Sequence, residues 1–430
     1  MSSNHYDVAV IGSGAGGATL ARELRRRGAN VVVIERGKQH EKFGSFRHSL
    51  AFFDANRVTK VPRKSKEGVI LWRTIMAGGS SVVSCGNATR CLETELADLG
   101  VHLAESIAEA ETDLNVAPIS ETLVSEGSEA IMAAAQELDY EMELMPKFID
   151  PALCKACGQC VFGCPNHAKW TALDYLAEAT AGGAEILYNT TVQRVLQDLG
   201  SARGIHAIGL HGDVDVMADV VVVAAGGLGT PPILQNSGIP DAGRGLFTDL
   251  LVNTYGVTED LSLVREPSMA LVNHQFHDSK GFILSPYANH SRMVRSMEFG
   301  PRAFSYPSNG ILGMMTKTAD DAVGTVYSDG SVSKPVTEDD WARLREGSAI
   351  SREILIQAGA DPSSIIVSVP QGAHPGGTAA IGQVVDENLE TEIKNLFVCD
   401  ASVLPKAPGM PPILTIVALA KRLAKHLTSS

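Results

Sequence analysis

Apolar and polar positions at the start of the chain fall into three blocks. Residues 6–11, YDVAVI, and 30–36, NVVVIER, are short β-branched runs, which predict buried strands. Between them, residues 16–28 place Leu20 and Leu24 on one face of a helix, and the arginines near its end suit the negative pole of the helix dipole. A strand, a helix and a strand in this order predict a right-handed crossover within a parallel sheet.

The rest of the chain alternates between helical periodicity and strand-like runs. Residues 213–227 predict a further pair of strands, and residues 245–370 break into short strand-like pieces separated by Gly, Pro and Asn, which is typical of an antiparallel sheet. We therefore predict an α/β protein in which residues 1–245 and 371–430 form one domain and residues 246–370 form a second, inserted domain. Helical patterns lie at 102–114, 122–139, about 169–181, 338–359 and 412–427.

Composition and charge exclude some classes of protein. Of the 430 residues 44% are hydrophobic and 20% are charged, an ordinary globular balance. The net charge of −13 argues against nucleic acid as a partner, because phosphate binding needs a basic surface. The longest apolar runs, such as 220–227, are far shorter than the about 20 residues that span a bilayer. Since the first strand follows residues 1–6 without a leader, we expect a soluble cytoplasmic protein with no transmembrane segment.

A glycine-rich turn connects the first strand to the first helix. Gly12, Gly14 and Gly17 have the spacing G-x-G-x-x-G, and Glu35 ends the second strand. In this context the glycines allow a tight turn, close approach of a pyrophosphate and close packing of helix on strand, while the acid binds ribose hydroxyls. The pattern predicts a dinucleotide site, although the glutamate alone does not separate FAD from NAD. The alternative is a glycine turn without a ligand.

Three later segments resemble the glucose–methanol–choline (GMC) family of flavoprotein oxidoreductases. They are GGSS at 78–81, VVVAAGGLGTPPILQNSGI at 221–239, and the block from HPGGTAAIG to PPILTIVALAKRLAKHL at 374–427. The resemblance implies a Rossmann-type FAD-binding domain, here residues 1–245 and 371–430, and a substrate domain built on an antiparallel sheet, here residues 246–370. It also implies FAD rather than NAD as the cofactor.

The resemblance further implies roles for individual residues around the flavin. Asp400 is expected to bind the ribityl or pyrophosphate region, although an acid before a serine also commonly caps a helix. Val192 is expected on the adenine side. The residues expected to line the cofactor elsewhere are Gly78, Gly79, Ser80, Ser81 and Gly226.

The same resemblance identifies His374, in HPGGT, as the catalytic base beside the flavin. An imidazole titrates near neutrality and is able to take a hydroxyl proton while a hydride leaves the same carbon. Family members usually carry a second His or Asn 35–40 residues later, and here Pro411 stands there. Proline has no side-chain donor or acceptor. We therefore expect a replacement from Asn309, His290 or Tyr306, with Asn309 as the predicted catalytic partner, or a substrate that is not an ordinary alcohol.

Four cysteines lie close together within the segment at about 150–170. They form the run C-x2-C-x2-C-x3-C-P, which is typical of the ligands of a [4Fe–4S] cluster. Zinc is the main alternative, because C-x2-C pairs bind it too. The predicted metal ligands are Cys154, Cys157, Cys160 and Cys164.

The fourth ligand of this cluster stays open. In ferredoxins with two clusters the last cysteine of such a run serves the other cluster, so Cys164 or a remote thiol, Cys85 or Cys91, completes the set. The segment also resembles the C-x2-GC-x2-G-x-K stretch of long-chain alcohol oxidases, a GMC branch in which the chain passes the flavin's neighbourhood. This resemblance implies a cluster near the isoalloxazine ring.

Three functions remain open at this point. The first is a dehydrogenase in which hydride passes from a C–H next to a hydroxyl to FAD, and the cluster passes electrons to a one-electron acceptor such as ferredoxin, another Fe–S protein or a quinone pool. The second is the reverse, a ferredoxin-driven reductase of an activated C=C or C=O. The third is an electron-transfer subunit of a larger complex. The oligomeric state and the substrate are not readable from the residues.

Overall fold

The computed structural model describes residues 5–56, 61–289, 291–307 and 309–429. Short 3₁₀ helices cover Gly79–Val83, Glu121–Leu123, Cys160–Phe162, Gly300–Phe304, Pro362–Ser364 and Ala401–Val403. The α-helices are α1 Ala15–Arg26, α2 Phe46–Ser49, α3 Glu93–Asp98, α4 Ala104–Asp113, α5 Glu126–Glu137, α6 Ala172–Ala181, α7 Thr230–Asn236, α8 His277–Lys280, α9 Arg292–Phe299, α10 Glu338–Gln357 and α11 Ile413–Thr428.

The strands are mostly short, and the longest lie in the middle of the chain. They are β1 His5–Ile11, β2 Val31–Ile34, β3 Ile70–Leu71, β4 Ala117–Pro118, β5 Glu143–Leu144, β6 Pro146–Lys147, β7 Glu185–Leu187, β8 Thr191–Asp198, β9 Ser201–Gly209, β10 Gly212–Val223, β11 Arg244–Leu246, β12 Leu250–Val257, β13 Leu271–Val272, β14 Phe282–Pro286, β15 Ile311–Thr318, β16 Gly324–Val326, β17 Val332–Ser333, β18 Ile366–Val367, β19 Gln371–Gly372 and β20 Leu396–Val398.

The first sheet has the order β7-β2-β1-β10-β9-β8, and β20 also pairs with β10. β1 is parallel to β2 and β10, which confirms the crossover predicted from the start of the chain. The predicted pair of strands at 213–227 is instead the single strand β10. Its first half pairs antiparallel with β9, and its second half lies parallel to β1 and β20. The two halves of β10 have different neighbours and therefore different residue patterns, so the sequence pattern predicted two strands.

The second sheet has the order β14-β15-β12-β19-β3, with β18 also paired to β12. Its long strands, β12, β14 and β15, are antiparallel, as the pattern of residues 245–370 predicted. β3 and β19 join the same sheet from outside 246–370. The helix α10 covers β12 and β15, and Gly347 allows the close approach, since a Cβ there would lie 2.3 Å from Thr316 Cγ2. The two sheets give the α/β class predicted from the sequence.

The core of the first sheet is formed by β-branched strand residues and by the helices packed on them. β2 is buried at every position, and α1 packs against α6 and α11. The terminal helix α11 begins at Ile413, close to the predicted start at 412. Within the described ranges, no helix combines the length and the apolar character that crossing a membrane requires.

The N-terminus of α1 lies unusually close to the strand ends beneath it. A Cβ on Gly16 would lie 2.0 Å from the Cys399 carbonyl oxygen, and a Cβ on Gly17 would lie 2.0 Å from the Gly12 carbonyl oxygen. Real contacts of this kind are never so short, so any side chain at either position pushes the helix away from the sheet. The glycines therefore fix where α1 sits.

We expect Gly17→Ala to lower the free energy of unfolding by about 1–3 kcal/mol, because the added methyl group forces α1 off the turn before it. Urea unfolding of the flavin-free protein, followed by circular dichroism, measures this. Gly14→Ala is the matched control in the same turn, since a Cβ there meets no atom within 4 Å. Equal unfolding midpoints for the two variants would show that close packing at Gly17 does not matter.

Candidate active site

The carboxyl ends of the parallel strands open into a cavity of about 590 Å³, which we call the central cavity. Gly12 follows β1, Glu35 follows β2 and Ala224 follows β10, and all three residues line this cavity. Ligands of open α/β sheets bind outside the carboxyl ends of the strands. The central cavity is therefore the candidate site.

The glycine turn forms one wall of the central cavity. Gly12 has a φ of +100°, and a Cβ there would lie 2.4 Å from the Ala224 carbonyl oxygen. Gly14 is the N-cap residue of α1 but has no side chain to cap it, and the space where its Cβ would stand is open. This gap next to the N–H groups of α1 fits a phosphate group of a bound dinucleotide. Gly17 lies behind the wall, where it packs α1 on the turn.

Glu35 connects the glycine turn to the neighbouring loops. Its Oε2 accepts hydrogen bonds from the Ser13 backbone N–H at 3.1 Å and from the Ser13 hydroxyl at 2.6 Å, and its Oε1 accepts from the Gly37 N–H at 2.7 Å. The Ser13 hydroxyl in turn accepts from the Gly78 N–H at 3.1 Å. Glu35 thus holds the turn in shape at the cavity wall, and ribose binding by this residue stays a prediction.

The GGSS segment forms a second wall. Gly79, Ser80 and Ser81 line the cavity on a 3₁₀ helix, whereas Gly78 lies just behind it with a φ of +82°. The Ser81 hydroxyl donates to the Gly78 carbonyl at 2.6 Å and accepts from the Ala172 N–H at 2.9 Å. These bonds anchor the wall to the start of α6.

Val192, Gly226 and Asp400 also line the central cavity. The buried Asp400 carboxylate accepts from the Gly226 N–H at 2.7 Å, from the Thr230 hydroxyl at 2.6 Å and from the Ser402 N–H at 2.7 Å. The last bond is the helix cap that the sequence offered as the alternative role. Burial raises the pKa of Asp400. A contact between Asp400 and the flavin remains a prediction.

His374 lines the central cavity and is paired with a buried carboxylate. Its Nδ1 lies 2.8 Å from Oδ2 of Asp249, whose side chain is 0% exposed. The other oxygen, Oδ1, accepts from the Gly409 N–H at 2.9 Å. An ionised Asp249 selects the tautomer in which Nδ1 carries the proton, so Nε2 is left as a proton acceptor.

A buried lysine completes this group. The Nζ atom of Lys317, on β15, lies 3.5 Å from His374 Nδ1. Burial raises the pKa of Asp249 to about 7, although Lys317 acts against this. Burial and the Lys317 charge hold the pKa of His374 well below its usual range, so the imidazole is neutral at physiological pH. The pKa of Lys317 is lowered by its burial, which the Asp249 charge opposes.

The structure also places the candidate partners of His374. Pro411 lines the central cavity and brings only its ring. Asn309 is exposed and lies outside the cavity lining, so the structure does not bring the predicted partner to His374. Tyr306 donates instead to the Ser364 carbonyl oxygen. His290 lies outside the described residues.

Lys317 and Glu298 line the cavity, and Asp249 is buried behind His374; the sequence analysis missed all three. The Glu298 carboxylate lines the cavity, accepts from the Tyr255 hydroxyl at 2.6 Å and from Asn253 Nδ2 at 3.0 Å, and burial raises its pKa to about 7. The sequence signal that could have found them is a single charged residue within a mostly apolar run, such as the lysine in ILGMMTKT. Such a charge inside a buried strand is costly and needs a reason.

The cysteine segment borders the central cavity. Val161 and Phe162, on the 3₁₀ helix within this segment, line it, and so does Cys85. The Ala168 N–H lies 3.3 Å from Cys164 Sγ. In the part of the chain that the structure describes, no three or more His, Cys, Asp or Glu side chains are arranged to hold a metal ion. The thiols that are reduced and half-buried on this segment are Cys154, Cys157, Cys160 and Cys164.

Two buried lysines lie beneath this segment. The Nζ atom of Lys169 donates to the carbonyls of Val82 at 2.9 Å and Cys160 at 3.2 Å. The Nζ atom of Lys147 donates to the Cys85 carbonyl at 3.1 Å. Burial raises the pKa of the Cys85 thiol, and the nearby Cys160 adds to the rise. Lys169 thus joins the segment to the end of the GGSS wall, whereas Lys147 bonds the Cys85 carbonyl of the cavity lining.

Comparison with protein families identifies the chain. A GMC oxidoreductase model matches residues 7–252, and a second GMC oxidoreductase model matches residues 331–420. The chain belongs to the GMC oxidoreductase family. Membership supports FAD as the cofactor and an oxidoreductase activity of a class that acts on CH–OH groups. The Gly14 gap and the central cavity fit this cofactor.

Similar proteins span nearly the whole of this GMC oxidoreductase. An uncharacterized protein of Methanocaldococcus jannaschii is 31% identical over 98% of this chain and 100% of its own length. A long-chain-alcohol oxidase of Arabidopsis thaliana is 25% identical over 98% of this chain and 68% of its own. The crystal structure of pyridoxine 4-oxidase from Mesorbium loti has a TM-score of 0.76 at 18% identity, covering 98% of this chain and 99% of that one, and confirms the fold.

We expect Gly14→Ala to weaken FAD binding at least about tenfold, because the added methyl group occupies the space that a phosphate needs next to α1. Fluorescence titration of the flavin-free protein with FAD measures the dissociation constant. The unfolding midpoint of this variant without FAD should equal that of the wild type, which separates cofactor binding from folding. Unchanged FAD affinity would remove Gly14 from the cofactor site.

Proposed function

We propose that this protein is an FAD-dependent dehydrogenase that oxidises a CH–OH group, and that a [4Fe–4S] cluster passes the electrons to a one-electron acceptor such as ferredoxin. The observation that carries the proposal is the His374–Asp249 pair, 2.8 Å apart in the cavity that the glycine turn also lines. A neutral imidazole next to the cofactor cradle is what removal of a hydroxyl proton requires.

His374 is the base in this proposal. Asp249 accepts a hydrogen bond from the Nδ1–H group and so leaves Nε2 free to face the substrate hydroxyl. Nε2 then takes the hydroxyl proton. The Gly409 N–H holds the carboxylate in place from its other oxygen. The bound flavin supplies the acceptor for the hydride that leaves the same carbon. Asp249 is a positioning residue, because it acts through the imidazole.

The substrate class is proposed from the relatives and the cavity together. The Arabidopsis thaliana relative is a long-chain-alcohol oxidase, which makes a long primary alcohol the first substrate to test. Apolar side chains on the second sheet and α9 offer surface for an alkyl chain. The lining residues of this kind are Leu251, Val294 and Met315.

We propose further that the cysteine segment binds the cluster. The donor set fits, since four reduced thiols share one loop and an N–H group faces the sulfur of Cys164. The thiols have to draw together when the cluster binds, because they are not arranged around a metal position. Val161 and Phe162 at the cavity support a cluster close to the flavin, where it would supply single-electron transfer.

The reverse reaction is the second candidate. Pro411 brings no polar group to the substrate oxygen, which favours a substrate other than an alcohol, such as an activated C=C or C=O. Anaerobic mixing distinguishes the two directions. An alcohol reduces the oxidised flavin in the first case, and an enone reoxidises the reduced flavin in the second.

His374→Gln should slow flavin reduction by 1-dodecanol at least about 100-fold, since general-base catalysis contributes that much, while reduction by dithionite is unchanged. Anaerobic stopped-flow absorbance measures both. In the wild type the rate should fall as the pH is lowered through about 7, because a protonated Asp249 donates to Nδ1 and leaves the proton on Nε2. A lowered His374 pKa makes its own protonation secondary in this range.

His206→Gln is the matched control for this experiment. His206 also pairs through Nδ1 with a carboxylate, Asp215, at 2.7 Å, but it is half-buried on β9 and does not line the central cavity. Its loss should leave the rate unchanged. A His374→Gln variant that reduces its flavin with dodecanol as fast as the wild type would contradict the base assignment.

Anaerobically purified protein should contain about four iron and about four sulfide per chain. Cys160→Ser should remove them, and Cys399→Ala, a buried cysteine in a different part of the fold, should not. Comparison of Cys164→Ser, Cys85→Ser and Cys91→Ser identifies the fourth ligand. Zinc in place of iron, or neither metal, would end the relay proposal and leave the flavin chemistry untouched.

A further inference from the structure

The place that a second polar residue usually takes next to the base is occupied here by Pro411. Its ring lines the central cavity, and its carbonyl accepts from the Thr89 hydroxyl at 2.9 Å, so it has nothing to offer a substrate oxygen. An oxygen that loses its proton to His374 still needs a donor as its negative charge develops. Another cavity residue has to provide it.

Lys317 differs from the other buried lysines of the described chain. Lys147, Lys169, Lys334 and Lys421 each contact two or more oxygen acceptors, and none of the four lines the central cavity. Lys317 is 3% exposed and lines the cavity. Its strand neighbours in the sheet are apolar. They are Leu251 on β12 and Ile283 on β14.

The ammonium of Lys317 has donors to spare. Across the described ranges it forms no ion pair within 4.0 Å, and its hydrogen-bonding contact is His374 Nδ1 at 3.5 Å. That nitrogen already shares its proton with Asp249 at 2.8 Å, so it is a poor acceptor. A buried ammonium with unmet donors is costly unless something in the cavity meets them.

We propose that Lys317 binds the substrate oxygen, in the role that Pro411 leaves vacant, and stabilises the charge on that oxygen during the reaction. The inference deepens the proposed function and rests on it. The O–H bond breaks and its proton goes to His374 Nε2, while the O–H electron pair forms the second bond of the carbonyl. The C–H bond breaks and its electron pair leaves as hydride to the flavin, the oxidant. Lys317 donates throughout and keeps its protons.

A purely structural role makes a different prediction. If Lys317 only balanced the Asp249 charge, its loss would lower stability and leave anion binding in the cavity unchanged. In the described residues Lys317 and Asp249 form no ion pair within 4.0 Å, although each charge acts on the pKa of the other group, so the donors of the lysine stay available to a ligand. A small anion is therefore the sharpest probe of the lysine, because the anion mimics the charged oxygen without any reaction.

The experiment compares flavin-loaded wild type, Lys317→Met and Lys317→Arg. Lys317→Met should lower the flavin reduction rate with 1-dodecanol about 100–1,000-fold, the usual effect of removing one oxyanion donor. It should also weaken acetate binding, measured by the change in flavin absorbance, at least about tenfold. Lys317→Arg keeps the charge and should stay within about tenfold of the wild type in acetate binding. Lys280→Met, at an exposed lysine on α8, is the matched control and should match the wild type.

The two proposals fail in distinguishable ways. Lys317→Met with wild-type reduction rate and acetate affinity, next to an inactive His374→Gln, would overturn the lysine role alone. Wild type that dodecanol does not reduce, but that binds acetate through Lys317, would overturn the alcohol substrate alone. If Lys317→Met does not load flavin, Lys317→Gln replaces it. Wild type without measurable acetate binding would overturn the lysine proposal whatever the variants do.

Discussion

The close approach of α1 to the strand ends is the constraint on which the site depends. Side chains at Gly12, Gly16 or Gly17 would meet backbone carbonyl oxygens at 2.0–2.4 Å, whereas a side chain at Gly14 would stand in open space. Three glycines bring the helix down onto β1, β10 and β20, and the fourth leaves a gap where the helix N–H groups face the cavity. The same backbone geometry therefore creates tight packing on one side of the turn and room for a phosphate on the other.

The second sheet brings a different kind of chemistry to this cradle. β12 and β15 are buried on both faces, yet their ends place Lys317 in the cavity lining and Asp249 behind His374. Burial raises the pKa of Asp249 and lowers the pKa values of Lys317 and His374, and in each case the shift favours the uncharged form. A neutral imidazole with a fixed tautomer, next to a lysine whose donors are unmet, is a pairing of proton acceptor and charge stabiliser. The flavin fold and the acid–base group thus come from separate sheets and meet only in the cavity.

Local patterns were enough for the start of the first sheet and not for β10 or for the site. The β-branched runs and the G-x-G-x-x-G turn predicted β1, α1 and β2, because each depends on neighbours in sequence. β10 was read as two strands because its two halves have different partners, which a local pattern does not contain. Asp249, Lys317 and His374 lie far apart in sequence, and the pairing of β12 with β15 and with β19 brings them together. Asn309 lies in the region of sequence where a partner was expected, but its side chain is exposed. Position along the chain does not determine whether a loop residue faces the cavity or the solvent.

The charges beneath the cysteine segment bear on what that segment binds. Lys147 and Lys169 are buried there, and in the described residues neither forms an ion pair with a carboxylate within 4.0 Å; their partners are carbonyl and amide oxygens. A buried cation is unfavourable unless negative charge lies nearby. Burial raises the pKa values of the Cys154 and Cys157 thiols, so as free thiols these two bring no charge at neutral pH. Thiolates bound to a metal do bring it, and a [4Fe–4S] cluster with four of them is an anion. Lys147 already has the charge of Glu266 acting on it, so the cluster proposed above would matter most as a source of negative charge beside Lys169, which contacts the Cys160 carbonyl.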